Sequence, residues 1–537
     1  MTTPHLIDPQ TLKHRLDGDD PPPVLDVREE GEYNGAHIMG SICVPRRLLE
    51  IRAPQLFPYK GAQLVVCDDD GGRAGRAWAT LREMGYTRVA LLLGGVNRWF
   101  SDDYPVEWGI NVPSKDFGER VEVCDHVPTW SAIELSRRIA NGEKLRIFDT
   151  RTPQEFSRFS IPGAECIPNV EIARWAHDLR RNDPDTTIVI NCGGRTRSII
   201  GARTLLRMGL DNVVSLKNGT SGWALAGLKV ELGNTRVREG VPSEDALRAA
   251  DKYGRAVAAE DGVKLIDLRE LDRLFELAKR QTVHFIDVRT RAEYVEGHIS
   301  GFTWFPGGQT IQRSDDVVPF RTAPIVFCCD SLARAAVTAS WFRQIGFPNV
   351  MAVDGGISAW RSAGRTIESG DPFEKPAGFA SLAQRTEYVS PRDLAAAQAT
   401  GKPPRVVFVG TSREFADGHV PGAQWISRSK ADLVLEKICP DRQSEIVVAD
   451  VDPIRPVMAA SDLARSGFNN VAVLDGGMGA WADAGLPVER GLAGVMSAPE
   501  DVLPTIPNRS FENMMNYLSW EENLGRKYAC GSHRGEG

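Results

Sequence analysis

Short runs of apolar residues alternate with amphipathic stretches along most of the chain. Runs such as TIVIN (residues 187–191) are β-branched and nearly continuous, which is typical of strands buried on both faces of a parallel sheet. The segments between them, for example RSIIGARTLLRMGL (residues 197–210), repeat their apolar residues at helical spacing. Strands that alternate with helices predict an α/β fold, with a small central parallel sheet flanked by helices on both faces.

Three landmarks recur four times along the chain in the same order. The first is a segment that mostly begins with Asp-x-Arg, the second is an apolar strand with a short polar loop, and the third is a Gly-rich segment ending in Trp. The four terminal tryptophans, Trp99, Trp223, Trp360 and Trp481, are 124, 137 and 121 residues apart. The sequence therefore predicts four tandem copies of one domain, each with its own core.

The landmarks also predict where the copies begin and end. The four repeats are expected at residues 1–112, 113–232, 262–370 and 386–490. Residues 233–261 account for the longest spacing and are expected to form a helical insert, whereas residues 371–385 are expected to be a linker. Residues 491–537 are expected to be a tail with a helix. We interpret the insert and the tail as packing elements, with a lid over an active site as the alternative.

Composition and charge narrow the class of protein. The 537 residues carry a formal net charge of −7 and a pI near 5.8, which argues against a general binder of nucleic acids or anionic membranes. No apolar run approaches the roughly 18 residues of a membrane helix, and the N-terminus lacks a secretory pattern. The nine cysteines include no CxxC pair, which indicates a reducing cytoplasm and gives no spacing-based case for zinc.

Chemistry is expected in the loop that follows the apolar strand of the second landmark. The six-residue loops begin at equivalent positions, which are Asp68, Cys192, Cys329 and Asp450. A cysteine between a buried parallel strand and a helix lies near inward-turned N–H groups and the positive end of the helix dipole. Both favour a thiolate, which is the nucleophilic form of cysteine.

The second loop fits this chemistry best. Glycines allow close approach of the backbone to an anion, and arginines pair with oxyanions. The expected substrate-binding residues beside Cys192 are Gly193, Gly194, Arg195, Thr196, Arg197 and Ser198. In the third loop Asp330 opposes ionisation of Cys329, although Arg334 remains, so Cys329 is a second catalytic candidate. Three ion pairs are expected near the loops, Asp26/Arg28, Asp149/Arg151 and Asp287/Arg289.

The motifs LDVREEGEYNGAHI, CGGRTRS and GGxxxW together resemble the rhodanese-like sulfurtransferase family over residues 1–490. This resemblance implies that a catalytic cysteine begins a six-residue loop, one residue shorter than the loop of related phosphatases. Family members often pair an active domain with an inert one that carries Asp in place of Cys. Asp68 before Cys192 matches that arrangement, and Cys329 before Asp450 matches its mirror image.

The predicted function is sulfur transfer through a persulfide on Cys192. The expected partners are a small-molecule donor such as thiosulfate and an acceptor that is cyanide or a thiol, without a metal or an organic cofactor. Asp68 and Asp450 cannot accept sulfane sulfur, so their repeats are expected to be inert. One alternative is a persulfide carrier or scaffold that delivers sulfur to protein partners. Another is a phosphatase or arsenate reductase, against which the loop length argues.

Overall fold

The computed structural model describes residues 3–503 and 510–529, which form two compact units. One unit contains the first and fourth repeats, residues 3–110 and 372–503. The other contains the second and third repeats with the C-terminal helix, residues 111–371 and 510–529. The resemblance implied that the first repeat, with Asp68, pairs with the second, which contains Cys192. In the structure the first repeat instead shares a unit with the fourth, and the second shares a unit with the third.

Each repeat contains one five-stranded parallel sheet, so the predicted α/β fold with four repeats is confirmed. When the sheet strands are counted along each repeat, all four sheets have the order 1-5-4-2-3. The fourth strand is central in every sheet, and it is the strand of the second landmark. It is almost wholly buried in each repeat, as its apolar sequence predicted.

The first two repeats have the following elements. The strands of the first are β1 (His5–Ile7), β2 (Val24–Asp26), β3 (His37–Ile38), β4 (Ile42–Cys43), β5 (Gln63–Cys67), β6 (Arg88–Leu92) and β7 (Val106–Glu107). Its helices are α1 (Pro9–Leu16), α2 (Glu30–Gly35), α3 (Leu49–Leu56), α4 (Gly72–Glu83) and α5 (Gly95–Ser101), with a 3-10 turn at Arg46–Leu48. Helix α6 (Val112–Cys124) precedes the second sheet. The strands of the second repeat are β8 (Thr129–Trp130), β9 (Leu145–Asp149), β10 (Glu165–Cys166), β11 (Thr187–Asn191) and β12 (Val213–Leu216). Its helices are α7 (Ala132–Ala140), α8 (Pro153–Arg158), α9 (Glu171–Asn182), α10 (Thr196–Arg207) and α11 (Gly219–Leu225).

Helix α12 (Glu244–Glu260) lies in the stretch expected to be an insert, and the third repeat follows it. Its strands are β13 (Lys264–Ile266), β14 (His284–Asp287), β15 (Thr303–Trp304), β16 (Ile325–Cys328) and β17 (Val350–Val353). Its helices are α13 (Leu268–Ala278), α14 (Arg291–Glu296), α15 (Gly307–Gln312), α16 (Ser314–Val317), α17 (Ala333–Ile345) and α18 (Gly356–Ser362). Helix α19 (Phe379–Arg385) precedes the fourth repeat. The fourth sheet contains β18 (Glu387–Val389), β19 (Arg405–Phe408), β20 (Gln424–Trp425), β21 (Ile446–Ala449) and β22 (Val471–Leu474). The remaining helices are α20 (Pro391–Gln398), α21 (Ser412–Asp417), α22 (Arg428–Ile438), α23 (Arg455–Arg465), α24 (Gly477–Asp483) and the C-terminal α25 (Phe511–Ala529).

One hydrophobic cluster spans the second and third repeats. Phe117 of α6 and Ile199 of α10 belong to the same buried cluster as Val257 of α12 and Trp341 of α17. The Phe117 and Trp341 rings meet edge to face, with centroids 5.6 Å apart. Because α12 lies in this core, it joins the two repeats and is not a loose connection between them.

Buried ion pairs join the first and fourth repeats. Arg46 donates two hydrogen bonds to the carboxylate of Asp432, at 2.6 and 2.8 Å. Arg428 is bound by both Glu50 and Asp462. Burial of such charges is offset only when the donors and acceptors are fully paired, so these contacts constrain how the two repeats fit together.

The eight cysteines within the described residues are all free thiols, and Cys530 lies outside those residues. Over the same part of the chain, no helix has both the length and the apolar surface that crossing a membrane requires.

Candidate active site

Cys192 lies at the carboxyl end of the central strand β11, immediately before the loop that leads into α10. Its side chain is buried, and it lines a cavity of about 190 Å³. The cavity brings together the loop residues Gly193 to Arg197 with residues from three other parts of the same unit. These are Arg151, Glu155, Arg158, Phe159 and Ser221 of the second repeat, Gln312 of α15, and Tyr517 and Glu521 of α25.

The Gly-rich landmark holds the backbone of this loop. The N–H of Thr220 donates to the carbonyl oxygen of Cys192 at 2.9 Å, and the N–H of Ser221 donates to that of Gly193 at 3.1 Å. Gly219 has a φ of +52°. A Cβ at Gly219 would lie 2.7 Å from the carbonyl oxygen of Gly194 and closer still to that of Cys192. Glycine is therefore required at this position by conformation and by space.

The other three repeats use the same support. In each repeat the backbone carbonyl oxygen of the first loop residue accepts a hydrogen bond of 2.8 to 2.9 Å from an N–H group of the Gly-rich landmark. The donor and acceptor residues are Val96 and Asp68, Ile357 and Cys329, and Met478 and Asp450. The glycines that precede these donors all have positive φ; they are Gly95, Gly356 and Gly477. The third landmark thus positions the loop, a role that its Gly-x-x-x-Trp pattern did not reveal.

The last arginine of each loop is held by a glutamate of the first landmark. Arg197 donates two hydrogen bonds to the carboxylate of Glu155, both at 2.8 Å. Glu155 also caps the N-terminus of α8 with Thr152, and its Oε2 accepts a hydrogen bond from Gln309. Burial alone would raise the pKa of Glu155, but the Arg197 charge and these hydrogen bonds hold it below its usual range.

The same glutamate–arginine contact occurs in the other repeats. The pairs are Glu32/Arg73, Glu293/Arg334 and Glu414/Arg455. The glutamate precedes its arginine by 41 or 42 residues in all four repeats. The three predicted Asp/Arg ion pairs are also confirmed, each with a 2.7 Å contact, at Asp26/Arg28, Asp149/Arg151 and Asp287/Arg289.

Arg195 is directed toward carboxylates of α6. Its guanidinium donates to both oxygens of Glu119, at 2.5 and 2.7 Å, and it also contacts Glu122. A further hydrogen bond reaches Asn218 at 3.1 Å. Burial raises the pKa of Glu119 to about 7, and the negative charges of nearby glutamates act in the same direction against the opposing effect of Arg195. Arg195 thus ties the loop to α6.

Arg151 has an unused donor at the cavity. Its Nε and Nη2 bind Asp149, and Nη2 also donates to the carbonyl oxygen of Phe159 at 2.7 Å. Its Nη1 is buried and has no hydrogen-bond partner within the described residues. Because Arg151 also lines the cavity, this N–H group is available to an anion bound there.

The thiol of Cys192 lies among hydrogen-bond donors. Its Sγ is 3.6 Å from the hydroxyl of Ser198, and the backbone N–H groups of Gly194 and Ser198 also stabilise its thiolate form. Burial raises the pKa of Cys192 above its ordinary value, while the charge of Arg197 and the Ser198 hydroxyl act in the opposite direction. An anion formed on this sulfur would therefore be met by several donors.

We use the term N–H cradle for the backbone N–H groups of each loop and of the first turn of the following helix. In the first repeat the Asp68 carboxylate fills this cradle, because it accepts hydrogen bonds from the N–H groups of Gly71, Arg73 and Ala74 at 2.5 to 3.0 Å. In the fourth repeat two carboxylates share this role. Asp450 accepts hydrogen bonds from the N–H groups of Val451 and Asp452, and Asp452 accepts from those of Ile454 and Arg455. Both cradles are occupied by carboxylates of their own loops.

In the third repeat a carboxylate from outside the loop binds part of the cradle. Asp251 of α12 accepts hydrogen bonds from the Ser331 hydroxyl at 2.9 Å and from the N–H of Ala333 at 3.0 Å. Cys329 is fully buried in the hydrophobic core of the repeat, and burial raises its pKa, with a further contribution from Asp330. Arg334 is held by Glu171, Glu293 and Asp330.

The cradle of the second repeat is open. Within residues 3–503 and 510–529, no acceptor pairs with four of its N–H groups, those of Gly193, Arg195, Thr196 and Arg197. The loop therefore presents donors and the positive end of α10 to a bound anion. No group of three or more His, Cys, Asp or Glu side chains in this part of the chain is arranged to hold a metal ion.

The carboxyl end of a central parallel strand is where open α/β sheets place their ligand-binding sites, and Cys192 lies at such an end. The comparisons with known proteins make the family explicit. Residues 8–102, 131–226, 259–363 and 390–484 match the model of the rhodanese-like domain. The chain therefore belongs to the rhodanese-like family, as its motifs predicted.

Similarity extends over the whole chain in one solved structure. A thiosulfate sulfurtransferase from Pseudomonas aeruginosa is 33% identical, with a TM-score of 0.85 and 98% of each chain covered. A thiosulfate sulfurtransferase from Azotobacter vinelandii is 31% identical over 194 residues, which are 32% of this chain and 69% of that protein. The thiosulfate sulfurtransferase YnjE of Escherichia coli is 27% identical over 249 residues, 38% of this chain. The chain spans only 54% of the length of the Escherichia coli protein. The predicted likeness to thiosulfate sulfurtransferases is confirmed.

Proposed function

We propose that the protein is a sulfurtransferase in which Cys192 carries sulfane sulfur from a thiosulfate-like donor to a thiophilic acceptor. The observation that carries this proposal is the contrast among the four N–H cradles. In three of them a carboxylate of the protein accepts a hydrogen bond from at least one N–H group, whereas none within the described residues does so in the cradle around Cys192, which opens to a cavity of about 190 Å³. A cavity of this size suits a small anion such as thiosulfate.

The reaction has two half-reactions of the ping-pong type. In the first, the Cys192 thiolate attacks the outer sulfur of thiosulfate, the S–S bond of the donor breaks, and sulfite leaves with the electron pair. In the second, cyanide or a thiolate attacks the persulfide sulfur, and the electron pair of the S–S bond returns to Cys192. The open N–H groups of the cradle stabilise the anionic persulfide between the two steps.

The cationic side chains have separate roles in this proposal. Arg197 lowers the pKa of Cys192 through its charge and is held in place by Glu155. The free Nη1 of Arg151 is suited to the oxyanion group of the donor. Arg195 was predicted to meet that oxyanion, but its contacts with Glu119 and Glu122 favour a role in positioning the loop.

Cys329 is proposed to be inactive while Asp251 is bound at its loop. A donor anion would have to compete with this carboxylate for the N–H of Ala333 and the Ser331 hydroxyl, beside the negative charge of Asp330. The first and fourth repeats are proposed to serve as scaffold, because Asp68 and Asp450 occupy the position of the nucleophile. Transfer to a small acceptor is favoured over delivery to a protein, since the Cys192 side chain lines the cavity and is only 2% exposed.

The test is formation of thiocyanate from thiosulfate and cyanide by the wild-type protein, Cys192→Ala and Cys329→Ala. We expect activity in the wild type and in Cys329→Ala, and none in Cys192→Ala. Cys329→Ala is a matched control because it removes a cysteine from the equivalent position of the same unit. Full activity of Cys192→Ala would refute the role of Cys192, and peptide mapping of the persulfide would identify the residue that carries it.

A further inference from the structure

Helix α25 completes the cavity around Cys192 with residues that lie outside all four repeats. It is attached to α6 by several contacts. The Tyr528 hydroxyl donates to Asp116 at 2.7 Å, Lys527 forms an ion pair with the same carboxylate, and Lys115 lies over the ring of Tyr517. These contacts fix the helix and hold its side chains against the loop that begins with Cys192.

Glu521 is the acidic residue that α25 contributes to the cavity. It is only 1% exposed, and its Oε1 accepts a hydrogen bond from the Thr196 hydroxyl at 3.2 Å. Its Oε2 is buried and has no hydrogen-bond partner among the described residues. This oxygen lies beside the loop, because a Cβ at Gly194 would be 3.4 Å from it.

An unpaired carboxylate oxygen is costly in a buried site and calls for an explanation. The other carboxylate that lines the cavity, Glu155, has both oxygens bound by Arg197. Glu521 is therefore the one lining carboxylate, within the described residues, that retains a free acceptor. Its charge repels a thiosulfate anion, so it has no evident use in the first half-reaction. The second half-reaction does need an acceptor of protons when sulfur passes to a thiol.

We propose that Glu521 is the general base that deprotonates a thiol acceptor in the second half-reaction, an inference that rests on the proposed function. The proton of the thiol moves to Oε2 of Glu521 while the thiol sulfur forms a bond to the persulfide sulfur. The S–S bond to Cys192 breaks, and its electron pair returns to the Cys192 sulfur. The products are a new persulfide on the acceptor and the Cys192 thiolate. The acceptor class is thus a small, weakly acidic alkyl thiol.

This role requires that the acceptor arrive protonated. A free alkyl thiol has a pKa of about 8.5 and is mostly un-ionised at neutral pH. A positioned base contributes roughly 100- to 10,000-fold to such a proton transfer. An aromatic thiol that is already ionised at neutral pH needs no base and gains nothing from Glu521. The two kinds of acceptor therefore separate a catalytic role of Glu521 from a structural one.

The experiment measures the two half-reactions separately in the full chain. Wild type, Glu521→Gln and the control Glu512→Gln are first treated with thiosulfate, and persulfide formation on Cys192 is followed by mass spectrometry. The loaded proteins are then mixed with 2-mercaptoethanol or with 4-nitrothiophenol, whose thiol is ionised at neutral pH. Loss of the persulfide gives the transfer rate. Glu512 is a suitable control because it lies on the same helix but is exposed and does not line the cavity.

We expect Glu521→Gln to load normally and to transfer sulfur to 2-mercaptoethanol about 100-fold more slowly than wild type. Transfer to 4-nitrothiophenol should be unchanged, and the deficit with 2-mercaptoethanol should shrink as the pH rises through the pKa of that thiol. Equal slowing with both thiols, or wild-type rates with both, would overturn the inference. Failure of the wild-type protein to load would instead refute the proposed function. If Glu521→Gln does not fold, Glu521→Asp is used, with an intermediate deficit expected for the alkyl thiol alone.

Discussion

Replacement of Gly219 by alanine provides a sharp test of how the loop is held. Gly219 has a φ of +52°, and this left-handed conformation costs a residue with a Cβ about 1–2 kcal/mol. The added Cβ would also lie 2.7 Å from the carbonyl oxygen of Gly194 and closer still to that of Cys192. Restoring ordinary contact requires the loop to move by about 1 Å. A displacement of that size costs about 100-fold in rate when it misplaces a reacting group.

We therefore expect Gly219→Ala to lose about 100-fold in kcat/KM for thiocyanate formation and to unfold at lower urea concentration than wild type. Gly356→Ala is the matched control in the same unit, since Gly356 has a φ of +51° and supports the loop of Cys329 in the same way. It should lose similar stability and keep its activity. Gly477→Ala provides the same control in the other unit.

The reasoning is refuted if Gly219→Ala keeps wild-type activity. It is also refuted if all three alanine variants, while folded, lose activity equally, because only the second repeat is proposed to react. Circular dichroism of each variant at the assay temperature establishes that the folded protein is being compared.

Two other predictions concern carboxylates near the loops. Asp251→Ala removes the acceptor of the Ala333 N–H and of the Ser331 hydroxyl at the start of α17, so we expect the variant to be less stable in urea by about 1 kcal/mol. Equal urea midpoints in both proteins would contradict this capping role. The pKa of Glu119 is about 7 in the fold against an ordinary value of 4.5, so its contribution to stability is full below about pH 4.5 and is lost as the pH rises through 7. At about 1.4 kcal/mol per pKa unit, this shift amounts to about 3 kcal/mol. Urea unfolding between pH 4.5 and 7.5 should therefore show a steeper decline in the free energy of unfolding for wild type than for Glu119→Gln. Parallel curves would show that Glu119 does not titrate in this range.

Much of the fold could be predicted from local patterns. The strand before each loop is apolar because it is central in its sheet, and its run of β-branched residues is visible without any tertiary information. The position of Cys192 followed directly, because the loop starts where that strand ends. Loop composition also separated the repeats that carry cysteine from those that carry aspartate.

The contacts between distant segments could not be predicted in the same way. Asp251 is an ordinary acidic residue of an amphipathic helix, and nothing in its local sequence indicates that it reaches Ala333. Glu521 lies in a tail without a repeat counterpart, so no internal comparison could single it out. Glu155 is different, since a glutamate at an almost constant distance from the loop arginine in all four repeats was a signal present in the sequence.

The carboxylates that bind in three of the four cradles act as tethered ligands. Asp68, Asp450 and Asp251 are covalently part of the chain, so their effective concentration at the cradle does not fall on dilution. A free anion competes with them at a disadvantage, whereas at the second repeat no tethered group among the described residues opposes it. The same cradle therefore behaves as a receptor with a resident ligand in the first, third and fourth repeats, and as a vacant one in the second. If the proposed function holds, this difference in occupancy, more than any difference in fold, limits the chain to one sulfur atom at a time.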